Sequence, residues 1–94
     1  MAQILFYDYV ENMSERRAPH REGHLARISE WGDAGKIVLA GAVGDPPHGA
    51  AFVFDVDDPG EVERFAAEDP YVLADLVTSR RIEPIGLVVP PLPR

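Results

Sequence analysis

Branched and aromatic residues crowd positions 3–10 (Gln-Ile-Leu-Phe-Tyr-Asp-Tyr-Val), and that density predicts a first strand. Ile4 and Phe6 point one way and Leu5, Tyr7 and Tyr9 the other, so both faces of the strand carry apolar bulk. Glu11 to Arg16 is polar and reads as a connection. From Arg17 or Ala18 to Ala34 the spacing becomes helical, with Pro19 in the first turn and Gly35 just past the end. Lys36 to Val43 is an apolar run of strand length, Gly44 to Gly49 a loop, and Ala50 to Val56 a third strand, pairing with the second as a hairpin. Asp58-Pro59-Gly60-Glu61 has the layout of a helix start: an acidic N-cap, proline at the first helical position and glutamate three residues after the cap. Val62, Phe65 and Ala66 give that helix a short apolar face; Asp69-Pro70 interrupts it and restarts a turn through Tyr71, Leu73 and Leu76. Arg81 to Val89 reads as the last strand, placed at an edge or bulge by Pro84, and a proline-rich extended tail covers about residues 90–94.

The order strand, helix, strand, strand, helix, strand is the split βαβ arrangement. The expected fold is therefore α+β and ferredoxin-like, a four-stranded antiparallel sheet with both helices on one face. Two helices cover only that face, which leaves an apolar surface suited to a second copy of the sheet. A homodimer packed face to face is expected, with Tyr7 and Tyr9 as part of the dimer face. The 94 residues make one domain, 1–94, and a chain of this size buries only roughly 60–65% of its unfolded surface, which also favours oligomerisation.

Charge narrows the partners. Sixteen acidic and nine basic side chains give a formal net charge of −7, which repels phosphate backbones and anionic lipid and argues against nucleic-acid and membrane roles. The chain has no cysteine, so disulfides, thiolate metal sites and a cysteine nucleophile are excluded. No basic segment precedes a long apolar stretch and no apolar run reaches the ~20 residues of a membrane span, so a cytoplasmic protein is expected.

Candidate chemistry lies on the first helix. Arg17, His20 and His24 fall within about 60° of Ile28 and Trp31, on the stripe that should face the core. Burying such groups without partners costs several kcal/mol, so a polar end on an inward stripe predicts a cleft. A histidine there can take or give a proton, and an arginine can hold a carboxylate or phenolate bidentately. Asp69 either orients His24 or simply caps the turn that begins at Pro70; one carboxylate can do both. His20 and His24 are four apart, but Glu22 sits between them rather than next to either, and no third ligand is evident, so no metal site is expected. Gly41, Gly44 and Gly49 lie between strands and form no phosphate loop, and His48 and Arg80-Arg81 read as solvated. Asp8 lines the cleft only if the Ile4–Phe6 face meets the helices, and Ser79 either enters a cleft beside His24 or, the favoured reading, is a surface serine at a strand start.

Arg17, His24-Leu25, Gly35, Ala40-Gly41, Gly49, Asp69-Pro70-Tyr71 and Ile82-Glu83-Pro84, in this order and spacing, resemble the YCII-related domain over nearly the whole length. The resemblance implies ferredoxin-like subunits paired as a dimeric α/β barrel. It also implies a cleft in which His24 and Asp69 form an acid–base pair, and Tyr71 matches the aromatic that follows the motif aspartate. Some relatives are linked to chloroaromatic breakdown as dehydrochlorinases. The functional expectation is thus an isomerase or lyase, dehydrochlorinase-like and using no cofactor, acting on a small anionic carbonyl or phenolic compound. His24 and Asp69 would be catalytic, Arg17 and Tyr71 substrate-binding. The competing expectation is a non-catalytic small-ligand-binding or dimeric structural domain. The family often has a proline soon after the Ala-Gly pair; here Ala42-Val43-Gly44 follows and Pro46-Pro47 comes later, so the loop over the cleft differs.

Overall fold

The structure is a computed structural model that describes residues 1–90. Four strands, β1 (Ala2–Tyr9), β2 (Ile37–Val43), β3 (Gly49–Phe54) and β4 (Val77–Ile85), pair antiparallel in the order β2-β3-β1-β4. A one-turn α1 (Met13–Arg16) and a 3-10 turn (Ala18–His20) lead into α2 (Arg21–Asp33), which crosses from β1 to β2. α3 (Pro59–Glu68) and a one-turn α4 (Pro70–Leu73) carry the chain from β3 to β4. This is the ferredoxin-like order, with the helices on one face.

The departures from expectation have local causes. Met13 is buried and packs with Tyr71 and Leu76, which turns the polar connection into a helical turn. Pro19 ends up in the 3-10 turn, so the long helix begins at Arg21 rather than Arg17 or Ala18. β4 runs from Val77 to Ile85 rather than from Arg81 to Val89, because it follows β1 from Tyr9↔Val77 to Ala2↔Ile85, with a bulge at Thr78. As an edge strand it keeps Thr78, Ser79, Arg80 and Arg81 exposed and accommodates Pro84. The tail beyond Pro90 lies outside the described residues.

The core lies between sheet and helices, where Leu5, Tyr7, Phe52 and Phe54 meet Val62 and Phe65. Tyr7 and Tyr9 therefore face the helices and not a dimer partner, which corrects the sequence expectation. Alternation fixes only which residues share a face; the helices took the side of Leu5 and Tyr7. Asp8 falls on the opposite face with Phe6, and Ser79 follows it there, its hydroxyl donating to Asp8 Oδ2 at 2.6 Å. Neither joins His24. α2 is clamped to α3 by Arg27, whose Nη1 donates to the Phe65 carbonyl at 2.7 Å while its guanidinium lies 4.7 Å from the Phe65 ring centroid. Trp31 meets Phe54 and Phe65 edge-on.

Candidate active site

Pro70 cannot continue α3 and holds the residue before it extended, so Asp69 stands at a helix break with φ −67 and ψ 127. Its Oδ1 accepts from the Tyr71 backbone N–H at 3.0 Å, capping α4. The same oxygen lies 2.8 Å from His24 Nδ1, and Oδ2 accepts from the Tyr7 hydroxyl at 2.8 Å. Capping and pairing with His24 are both present in one carboxylate. Asp69 is 0% exposed, so its desolvation must be offset by these bonds. As a carboxylate, which only accepts, it matches three donors; hydrogen bonds to a charged group are worth about 1.5–3 kcal/mol each.

That match fixes the imidazole. With Nδ1–H donating to Asp69, the neutral His24 ring carries its free lone pair on Nε2. His24 is the one described residue of α2 that is buried, at 5% exposed. No buried side-chain nitrogen or oxygen among the described residues lacks a partner, so Nε2, which makes no hydrogen bond within the protein, is not sealed in, and His24 lines the adjoining cavity. The Tyr71 ring lies flat on His24, centroids 3.7 Å apart and planes 9° from parallel, and holds its orientation.

The cavity measures about 170 Å³. Phe52, Ile28 and Leu25 supply apolar wall, Ala40 and Ala42 leave room along β2, and Arg17 and Arg21 line it together with His24. Burial raises the Tyr71 phenol above its ordinary 10.0, while the Arg17 and Arg21 guanidiniums pull against that shift. Tyr7 is raised much further, first by burial and then by the Asp69 charge, and Tyr9 is raised chiefly by burial. All three phenols are thus neutral donors at physiological pH.

Four residues singled out from the sequence, Arg17, His24, Asp69 and Tyr71, meet here. His20 does not; it lies with Pro70, Leu73 and Ala74 on the other side of the helix start. Sequence reasoning missed Tyr7 and Arg21. Arg21 was legible, since it sits four residues after Arg17 and three before His24 on the same stripe. Tyr7 carried a weaker signal: a tyrosine on a core-facing strand position needs a partner for its hydroxyl. Among the described residues no group of three His, Asp or Glu side chains is placed to hold a metal ion, and no helix is long and apolar enough to cross a membrane.

The sequence model of the YCII-related domain matches residues 1–86. The chain belongs to the YCII-related domain family. Among solved structures, this YCII-related chain is similar to 5-chloro-2-hydroxyhydroquinone dehydrochlorinase from Burkholderia phenoliruptrix AC1100, in complex with 2,5-dihydroxybenzoquinone. The TM-score is 0.76 and the identity 19%, over 90% of this chain and 93% of that one. It is also similar to the structured domain of Caenorhabditis elegans BMY-1, with a TM-score of 0.55 and 16% identity, over 93% of this chain and 98% of that one. At these identities the two likenesses establish the fold. No curated protein matches the sequence.

Proposed function

We propose that this YCII-related protein is an acid–base enzyme, a lyase or isomerase acting on a small phenolic or carbonyl ring, with His24 as the proton-transfer group. The observation that carries this reading is His24 lining a ring-sized cavity while its Nδ1 is held by the buried Asp69, which leaves Nε2 as the nitrogen free for proton transfer. An engineered cavity of about 150 Å³ takes up benzene, so about 170 Å³ suits a single six-membered ring.

In an elimination the ring reacts as its keto tautomer, with the halide on a tetrahedral carbon, and Nε2 removes the proton of a ring hydroxyl. The O–H pair becomes the π bond of a carbonyl, the ring double bond shifts toward the halide-bearing carbon, and the halide departs with its bonding pair. Asp69 stabilises the imidazolium formed, and Arg17 and Tyr71 bind the ring and its oxygens. In an isomerisation the same proton returns at a different atom. The dehydrochlorinase among the similar structures supports placing halide loss first among these reactions. The test is release of chloride from chlorinated hydroxyhydroquinones by the purified protein, followed beside His24→Gln. Turnover lost in a folded His24→Gln variant supports the enzyme; saturable binding without turnover in the native chain points instead to a ligand-binding domain.

A homodimer belongs to the same reading. The sheet face away from the helices carries Ile4, Phe6, Val43 and Leu39, the last 63% exposed, and a second sheet would cover it. The cysteine-free composition fits a cytoplasmic setting.

A further inference from the structure

We infer that Arg21 joins Arg17 in a two-guanidinium clamp, and that the ligand is a single planar ring bearing two acidic oxygens. This inference rests on the proposed site and names the substrate class it takes.

Charge pairing is the first observation. Arg27, Lys36, Arg80 and Arg81 each have a carboxylate partner (Glu68, Glu61, Glu63 and Glu83), as expected in a chain of net charge −7. Among the described residues Arg16, Arg17, Arg21 and Arg64 have none, and of these four Arg17 and Arg21 are the two that line the cavity. Both line the same cavity, and no carboxylate lines it with them. Arg21 is exposed and Arg17 half-buried, so water screens part of their repulsion, and an anion held between them would relieve the rest.

Placement is the second. Arg21 is the first residue of α2, the end at which the helix macrodipole disfavours a cation, and its N-cap His20 makes no side-chain capping bond. Arg17 lies four residues earlier, a spacing at which like charges oppose one another in a helical turn. Local folding does not favour an arginine at position 21, while Arg17 caps the C-terminus of α1, where a cation is at ease; an anion in the cavity is attracted by both. Both line the cavity beside Tyr71, whose ring lies on His24.

The cavity supplies the rest of the description. His24, a residue only 5% exposed, lines it with its remaining ring nitrogen as an acceptor, and the walls are aromatic and aliphatic. A flat ring fills that space. One acidic oxygen pairs with each guanidinium, and the reacting hydrogen is presented to Nε2.

Isothermal titration with 2,5-dihydroxybenzoquinone, which has two acidic hydroxyls, and with hydroquinone, a neutral ring of similar size, tests the clamp without requiring turnover. The native chain should bind the anionic ring at least about tenfold more tightly than the neutral one. Arg17→Gln and Arg21→Gln should each reduce that affinity about tenfold or more, the scale of a charge-assisted bond, and leave the neutral ring unchanged. Circular dichroism checks that each variant is folded. Equal affinity for the two rings, no binding of the anionic ring, or a folded Arg21→Gln that binds it as the native chain does would overturn the clamp. His24→Gln separates the two proposals. It should retain the anionic ring within about threefold, because the clamp is intact, while any turnover disappears. A clamp that binds in a chain with no turnover leaves this inference standing and removes the enzyme; turnover without dependence on Arg21 does the reverse.

Discussion

Both oxygens of Asp69 are engaged, and each contact predicts a different failure. Asp69→Asn replaces one acceptor by an N–H₂ donor, which must then face either the His24 Nδ1–H or the Tyr7 O–H. Turning the imidazole to the other tautomer relieves the clash and leaves Nε2 protonated, unable to act as a base. Turnover in the variant should fall by about 10²-fold or more while the chain stays folded, as measured by kcat alongside circular dichroism. Tyr7→Phe instead leaves Oδ2 bare and should cost about 1–3 kcal/mol in urea unfolding. Tyr7 also gives the protein an alkaline limit. Its folded pKa is raised by burial and by Asp69 above the ordinary 10.0, so its stabilising effect is complete below about pH 10 and is lost as pH rises beyond it. Urea midpoints measured upward from pH 9 should decline past about pH 10, and less steeply in Tyr7→Phe.

The elements hold these side chains in place by close approach. A Cβ on Gly49 would lie 2.5 Å from the Tyr7 carbonyl oxygen, on a backbone that cannot swing aside. Gly49→Ala should therefore push β3 from β1 beside Tyr7 and cost about 1–3 kcal/mol. Gly32→Ala is the control: its Cβ would meet nothing nearer than the Ile37 carbonyl at 3.9 Å, and in α2 it should add about 0.5 kcal/mol. Urea unfolding of both variants checks the contrast. The same elements show what the sequence made legible. Strand β1, the β2–β3 hairpin and the Asp58 cap announce themselves through local chemistry, and Asp58 does accept from the Gly60 N–H. The start of β4 does not, because an edge strand with exposed polar side chains looks like a loop until β1 pairs with it. His24 and Asp69 were legible as a polar end on an inward stripe and an Asp-Pro break. Tyr7 was not, because its bond to Asp69 spans 62 positions and the pattern of β1 shows two faces without saying which one the helices cover.

At the scale of the whole molecule, the helices leave one sheet face uncovered. If a second copy covers it, a charge at its centre should prevent assembly without touching the site on the other side. Leu39→Glu is expected to sediment as a monomer where the native chain sediments as a dimer; a monomeric native chain would contradict the pairing. Sheet, helix break and cavity all converge on a single atom, His24 Nε2, and its proton is the deciding quantity. Nitrogen-15 NMR of labelled His24 in the native chain reads the tautomer directly, with Asp69→Asn as the reference. A neutral ring protonated on Nδ1 with bare Nε2, changing to the other tautomer in Asp69→Asn, is the predicted result. A native ring protonated on Nε2 would contradict it and leave Asp69 as the cap of a short helix.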